Sequence, residues 1–356
     1  MNNMNGERIK ALDGLRAFAI TEVVLYHLGL SVCSGMVSRF IITFFFMLSG
    51  YLMAMRYGDI ESNMTGVKHI LVRRIAHFMP LYWLTLAVLV IFTAWGIRWD
   101  LPFHILLLQS WIPNSYYCFS YNEVAWFIST LLVCYVCFPI LNGFFRNVTL
   151  RAQIIILIIV GAVYHLVLYV LQPSGDYMYY ICPATRLIDF VAGMTLYRVL
   201  ASLPKNSKKL SMPSATVLEI VTVTVIVGCN VLVYSVPNSL KMVQYTLLWY
   251  LPVLMLISVI GHRCLSSGIL SRVLSWPLFV NLGMLSMEIY IIHYLTIGLV
   301  KKVLEAVHIS VPSWLFIVLA LLVTLIAAML VHRFITVPVK IWLSKHCDSM
   351  KNSQSN

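Results

Sequence analysis

Residues Ala152–Leu171 read AQIIILIIVGAVYHLVLYVL, twenty positions without a charge. A helix of that length rises about 30 Å, the thickness of a bilayer's hydrocarbon core. Nine more apolar stretches lie to either side, at 11–32, 36–56, 75–95, 124–145, 178–200, 214–235, 243–261, 276–298 and 312–332. The pattern predicts an all-α polytopic membrane protein with about ten transmembrane helices. A further apolar piece, Leu101–Trp111, is too short to span and is bracketed by Pro102 and Pro113; it is expected to lie in the interface or to re-enter.

Composition agrees. Of 356 residues 60% are hydrophobic and only 11% charged, with a mean hydropathy of +0.87. A soluble domain is about one quarter charged, so a water-soluble globule is excluded. Disorder and a nucleic-acid partner fall with it, because the apolar content is far too high. A transmembrane barrel needs short alternating strands, which the long apolar runs exclude.

The net charge is +12, from 25 Lys and Arg against 13 Asp and Glu. With the N-terminus inside, 18 of the basic residues fall in cytoplasmic segments and 5 in external ones, leaving Arg16 and Arg186 within spans. Basic residues collect on the cytoplasmic side, so both termini are expected there. Residues 1–10 then form a cytoplasmic N-terminus, 11–338 the membrane domain and 339–356 a cytoplasmic tail. The first apolar stretch imitates a signal peptide, but Arg16, Glu22 and His27 mark it as an uncleaved helix. Among eight cysteines, Cys134 and Cys137 read as small apolar groups within a span, whereas Cys33, Cys118 and Cys182 fall near the outer face, where a disulfide can form.

Ionisable groups in lipid are costly and therefore functional candidates. Asp13, Arg16, Glu22 and His27 share the first span. Arg16 and His27 are eleven residues apart, which places them on one helix face at depths differing by about 16 Å. Asp13 stands at the right spacing to pair with Arg16. The ninth span carries Ser286, Glu288, Tyr290 and His293, with His293 in the outer half beside His27. Arg73 and Arg74 open the third span, followed by His77; guanidinium forks suit a polyphosphate, although a topological anchor has the same sequence signature. Arg186 and Asp189 form an (i, i+3) pair in the sixth span, readable as a cavity group or a buried ion pair. No carboxylate-plus-histidine cluster completes a metal site.

Leu12-Asp13-Gly14-Leu15-Arg16 with His27 resembles the opening helix of the acyltransferase 3 family of integral-membrane acyltransferases. Phe45–Tyr51, Arg73-Arg74 to Trp83, Trp126 with Ser129 up to Pro139, Arg186 with Phe190 and Gly193, and Ser286 with Tyr290 and His293 are similar to further motifs of that family, in the same order. The resemblance runs over about residues 11–338. Two departures stand out: His77 replaces a frequent arginine, and Thr336-Val337-Pro338 lacks the acid of a frequent Glu-x-Pro.

The resemblance implies transfer of an acyl group, most often acetyl, from cytoplasmic acetyl-CoA to a hydroxyl of a surface glycan such as O-antigen or capsule, or of its lipid-linked precursor. It implies a bacterial inner membrane and a short form without an added secreted domain. His27 and Arg16 are the expected catalytic residues, Arg73 and Arg74 the expected acyl-CoA ligands. Arg186, Ser129, Trp126, Tyr290, His293 and Glu22 are expected at the acceptor or cavity. A solute transporter would also place Arg, Glu and His in spans, but the internal repeats of many transporters are not visible. The aromatic crowding of Trp99, Trp111, Tyr116, Tyr117 and Tyr121 suits an interfacial belt as well as a sugar platform.

Overall fold

A computed structural model describes residues 9–30, 35–59, 64–92, 96–204 and 208–342, and gives the backbone alone at 35–38, 64, 65, 69 and 77. The described residues contain no strand. Their long helices are α1 (Lys10–His27), α2 (Gly35–Tyr57), α3 (Met64–Phe92), α4 (Ala125–Arg146), α5 (Leu150–Leu171) and α6 (Pro183–Ala201). They continue as α7 (Met212–Leu232), α8 (Leu248–Gly261), α9 (Pro277–Met284), α10 (Ser286–Ala306) and α11 (Ser313–Val331).

Every apolar stretch read from the sequence carries helix, but fewer than ten of the helices qualify as spans by length and composition. Among the described residues seven helices are long and apolar enough to cross a membrane, or eight if the bent pair α9–α10 is one span. The two left out, α1 and α6, each carry several charges: Lys10, Asp13, Arg16 and Glu22 on one, Arg186, Asp189 and Arg198 on the other. The ninth stretch is also not straight. It breaks at Leu285, where α9 and α10 meet at 67°. Gly283 stands two residues before the joint, but in an otherwise helical pattern a lone glycine does not announce a bend.

Local chemistry sets several ends. The Thr149 hydroxyl accepts from Ala152 N at 3.2 Å to cap α5, and Pro183 and Pro277 open α6 and α9 where no amide donor is needed. Pro80, Pro139 and Pro252 sit inside α3, α4 and α8, as membrane helices tolerate where neighbouring groups re-satisfy the backbone.

Small residues bring backbones together where apolar side chains gain nothing over lipid. A Cβ on Gly50 would stand 1.9 Å from Phe190 O, and one on Gly193 1.8 Å from Met47 O, so α2 and α6 touch through two glycines. The same device fixes α1. A Cβ on Gly14 would meet Leu274 O at 1.9 Å, and one on Gly283 would meet Asp13 O at 1.8 Å. Thus the short helix Ile269–Leu274 and α9 clamp the turn of α1 that bears Asp13 and Arg16.

Leu101–Trp111 dips back against α3 and α4 as a helical turn, Leu101–Ile105, and a 3-10 turn, Gln109–Trp111. Tyr82 donates to His104 O at 2.8 Å and Trp83 Nε1 to Ile105 O at 2.9 Å. Leu107 takes φ +54°, a left-handed backbone that costs energy in a branched residue; the Ser129 hydroxyl donating to its carbonyl at 2.7 Å offsets that cost.

Candidate active site

A cavity of about 410 Å³ opens at the end of the bundle where α1 begins and α2 ends. Arg16, Arg56, Arg73, Arg74, Lys340 and His332 line it, against a single lining carboxylate among the described residues, Asp13. The expected pair forms, with Arg16 Nη1 3.7 Å from Asp13 Oδ1. Arg74 lies between two rings, its guanidinium carbon 5.1 Å from the centroid of Tyr57 and 5.4 Å from that of Tyr135. Its Nε and Nη2 are buried and have no hydrogen-bond partner among the described residues. Three fork donors and two π-faces favour a planar cation, and unsatisfied guanidinium donors in a cavity wall are poised for an oxyanion.

Ile20, Phe127 and Tyr290 close the inner end of the cavity. The Tyr290 hydroxyl donates to Val124 O at 2.8 Å and its ring lies 5.0 Å from Phe127. Beyond this wall stand the two histidines, with ring centroids of His27 and His293 5.1 Å apart. His293 is fully buried, and its Nδ1 faces the carbonyls of Tyr290 and Ile289 at 2.8 and 3.2 Å. Those acceptors require the proton on Nδ1, which leaves the buried, unpartnered Nε2 as a lone pair. The sequence reading sets Arg16 and His27 on one helix face at different depths; Arg16 lines the cavity, and His27 lies outside its lining, past Ile20 on the same helix.

Other expected site residues have structural duties. Arg186 is fully buried and spends its donors on the protein: Nε on Tyr180 O at 2.8 Å, Nη1 on Asp189 Oδ2 at 2.6 Å and Thr43 Oγ1 at 3.2 Å, Nη2 on Tyr179 O at 3.2 Å. It therefore forms the buried ion pair and does not line the cavity. Ser129 pins the dipping segment through Leu107 O and Ser110, both at 2.7 Å, and Trp126 packs 5.0 Å from Tyr180, so neither reaches the cavity. Glu22 is part-buried outside it. The side chain of His77 lies outside the described residues, as does Cys33. Cys118 and Cys182 are buried free thiols.

Sequence reasoning missed Arg56, Lys340 and His332. The first two look like ordinary basic anchors at span ends, and His332 has no local partner. It sits on a π-helical turn, His332–Thr336, and its Nδ1 meets Glu288 Oε1 at 2.7 Å. Such turns are frequent at functional sites.

A second missed cluster joins Asp100, His104 and Ser120 in the outer segment, all fully buried. Ser120 Oγ donates to Asp100 Oδ2 at 2.7 Å, while His104 Nε2 faces Tyr117 O at 3.1 Å and Ser120 Oγ at 2.8 Å. A carbonyl accepts only, so Nε2 carries the proton and cannot take one from Ser120. The cluster is a knot that holds the segment, unlike a nucleophile with its base. Burial lowers the His104 imidazole to about 4, overriding the raising influence of Tyr117 O and Asp100.

The chain belongs to the acyltransferase 3 family, whose model, an acyltransferase domain, matches residues 9–333. It is similar to the peptidoglycan O-acetyltransferase OatA of Listeria monocytogenes, at 26% identity over 93% of this chain and 56% of that protein. It is also similar to the putative peptidoglycan O-acetyltransferase YrhL of Bacillus subtilis, at 29% identity over 93% of this chain and 55% of that one. The acyltransferase MdmB of Streptomyces mycarofaciens matches 40% of the chain at 28% identity, over 42% of its own length. The chain thus spans about half the length of the curated relatives it matches. No solved structure matches it. The first two names point to peptidoglycan, which leaves the expectation of lipopolysaccharide without support.

Proposed function

We propose that the chain resides in a bacterial inner membrane and transfers an acetyl group from cytoplasmic acetyl-CoA to a hydroxyl of a cell-envelope polysaccharide. The observation that carries this reading is the cavity's charge, five permanent cations against one lining carboxylate among the described residues, where the buried Nε and Nη2 of Arg74 also find no partner. The donor's phosphates supply the missing acceptors. The bias of Lys and Arg along the sequence assigns this end to the cytoplasm. Peptidoglycan is the acceptor that the relatives' names favour; O-antigen, capsule or a lipid-linked precursor share the same hydroxyl chemistry.

In this reading His27 acts as general base. The acceptor oxygen attacks the thioester carbonyl while the imidazole takes its proton. Collapse of the tetrahedral intermediate expels the CoA thiolate, which recovers that proton, leaving an acetyl ester and free CoA. Such a base contributes about a hundred- to ten-thousand-fold in rate. His293, whose ring packs 5.1 Å from that of His27, holds it in place. The wall of Ile20, Phe127 and Tyr290 keeps water from the thioester until the arm carrying it passes.

The test is to incubate membranes containing the chain with radiolabelled acetyl-CoA and to extract envelope glycan. Alkali-labile label in glycan, lost in Arg16→Lys, is the expected result. Solute movement with unlabelled glycan would make the chain a transporter and overturn the reading.

A further inference from the structure

Arg56 and Lys340 lie outside every motif used above, yet both line the cavity. Its five permanent cations divide by depth. Arg16 and Arg74 are part-buried, whereas Arg56, Arg73 and Lys340 are exposed and stand at the mouth. Asp13 is the lining carboxylate, and Glu288, behind the lining, is matched by His332. Among the described residues the cavity therefore keeps a formal excess of four positive charges.

On the acyl-CoA reading, on which this inference rests, the ligand carries a matching charge of two kinds. The diphosphate bridge holds one charge per phosphorus, and a phosphomonoester on the ribose adds about −1.5 to −2. A dianion is the costlier group to strip of water, so it belongs where its partners remain wet. The mouth offers that, with Lys340 as a mobile point charge and Arg56 as a fork. The half-buried Arg16 and Arg74 suit the less strongly hydrated diphosphate.

We propose that Arg56 and Lys340 form a subsite for the donor's terminal phosphomonoester and select acyl-CoA over donors that lack it. Neither residue touches the acyl group in this assignment; they set which carrier is accepted.

The experiment titrates the full chain, in nanodiscs, with acetyl-CoA and with its 3′-dephospho analogue, reading apparent affinity from transfer to glycan and from displacement of a labelled donor. Wild type should favour acetyl-CoA by about tenfold, the worth of one charge-assisted contact. The double variant Arg56→Gln/Lys340→Gln should lose affinity for acetyl-CoA and bring the two donors to parity. Lys340→Arg should keep the preference, and each single Gln variant should reduce it several-fold, which serves if the double variant inserts poorly. A wild type that binds both donors equally overturns the subsite while leaving the acyl-CoA reading intact. So does a double variant that weakens both by one factor. Failure of wild type to bind either donor overturns both.

Discussion

Replacing Arg74 with Met should separate binding from stability by sign. Arg74 holds a charge whose Nε and Nη2 are buried without partners among the described residues. An unmet buried donor costs about 1–3 kcal/mol, so removing it relieves the fold. The stacking on Tyr57 and Tyr135, at 5.1 and 5.4 Å, works in the opposite direction at about 0.5–1 kcal/mol per ring. Met fills much of the same volume and keeps contact with both rings. The unliganded variant should therefore be as stable as wild type, or more stable by about 1 kcal/mol. Donor affinity should move the other way. Two charge-assisted hydrogen bonds are lost, together about 3 kcal/mol, or roughly a hundred-fold in affinity. Thermal unfolding in detergent, with and without acetyl-CoA, reads both effects. At a donor concentration of about one hundred times the wild-type dissociation constant, ligand stabilises wild type by about 2.7 kcal/mol and the variant by only about 0.4 kcal/mol. An unliganded variant destabilised by more than about 1 kcal/mol, with its ligand shift intact, would make Arg74 a structural anchor and refute the reasoning.

His27→Gln should insert normally, keep donor affinity and lose about a hundred- to ten-thousand-fold in transfer, while His293→Gln loses about tenfold; the paired measurement is donor displacement beside glycan acetylation, and substantial transfer by His27→Gln removes it as base. Tyr290→Ala should join the cavity to the histidine pair and raise acceptor-independent hydrolysis of acetyl-CoA several-fold, whereas Tyr290→Phe keeps the ring and should not; unchanged free-thiol release in the Ala variant would deny Tyr290 its place in the wall. The segment 96–123 should loosen in acid. The folded His104 titrates at about 4 and an unfolded one near about 6.5, so the unfolded segment binds more protons at intermediate pH. Its stability is complete above about pH 6.5 and declines toward pH 4, by about 3 kcal/mol in all. Hydrogen exchange of residues 100–120 against pH checks this, and His104→Asn should flatten the profile.

Much of the architecture is legible because lipid imposes one simple rule, a long apolar run for each helix. The intramembrane charges of α1 were legible for the complementary reason, since Arg16 and His27 have no cause to be in lipid without a partner. The same rule hides what the structure adds. Arg56 and Lys340 resemble anchors at span ends, and only the convergence of α2 with the segment after α11 makes them part of one cavity. Arg186 looks like a ligand-binding group until the carbonyls of Tyr179 and Tyr180, eight residues of chain or fewer away, are seen to consume its donors. Gly283 alone does not announce the break at Leu285, and the knot of Asp100, His104 and Ser120 has no period to read.

The clamp on α1 gives the two ends of the site a fixed relation. Gly14 and Gly283 let the backbone of α1 touch Ile269–Leu274 and α9 at the turn bearing Arg16, so the placement of that arginine depends on main chain more than on side-chain packing. From there α1 runs unbroken to His27, eleven residues and about 16 Å away. Ile20, on the same helix, stands between them as part of the wall. A donor held by its phosphates at Arg16 and Arg74 can present an acetyl group to His27 only on an arm long and thin enough to pass that wall. Acetyl phosphate has the anion without the arm; acyl-CoA has both. The geometry of α1 therefore argues for the same donor as the charge of the cavity, and does so through distance, independently of any count of cations.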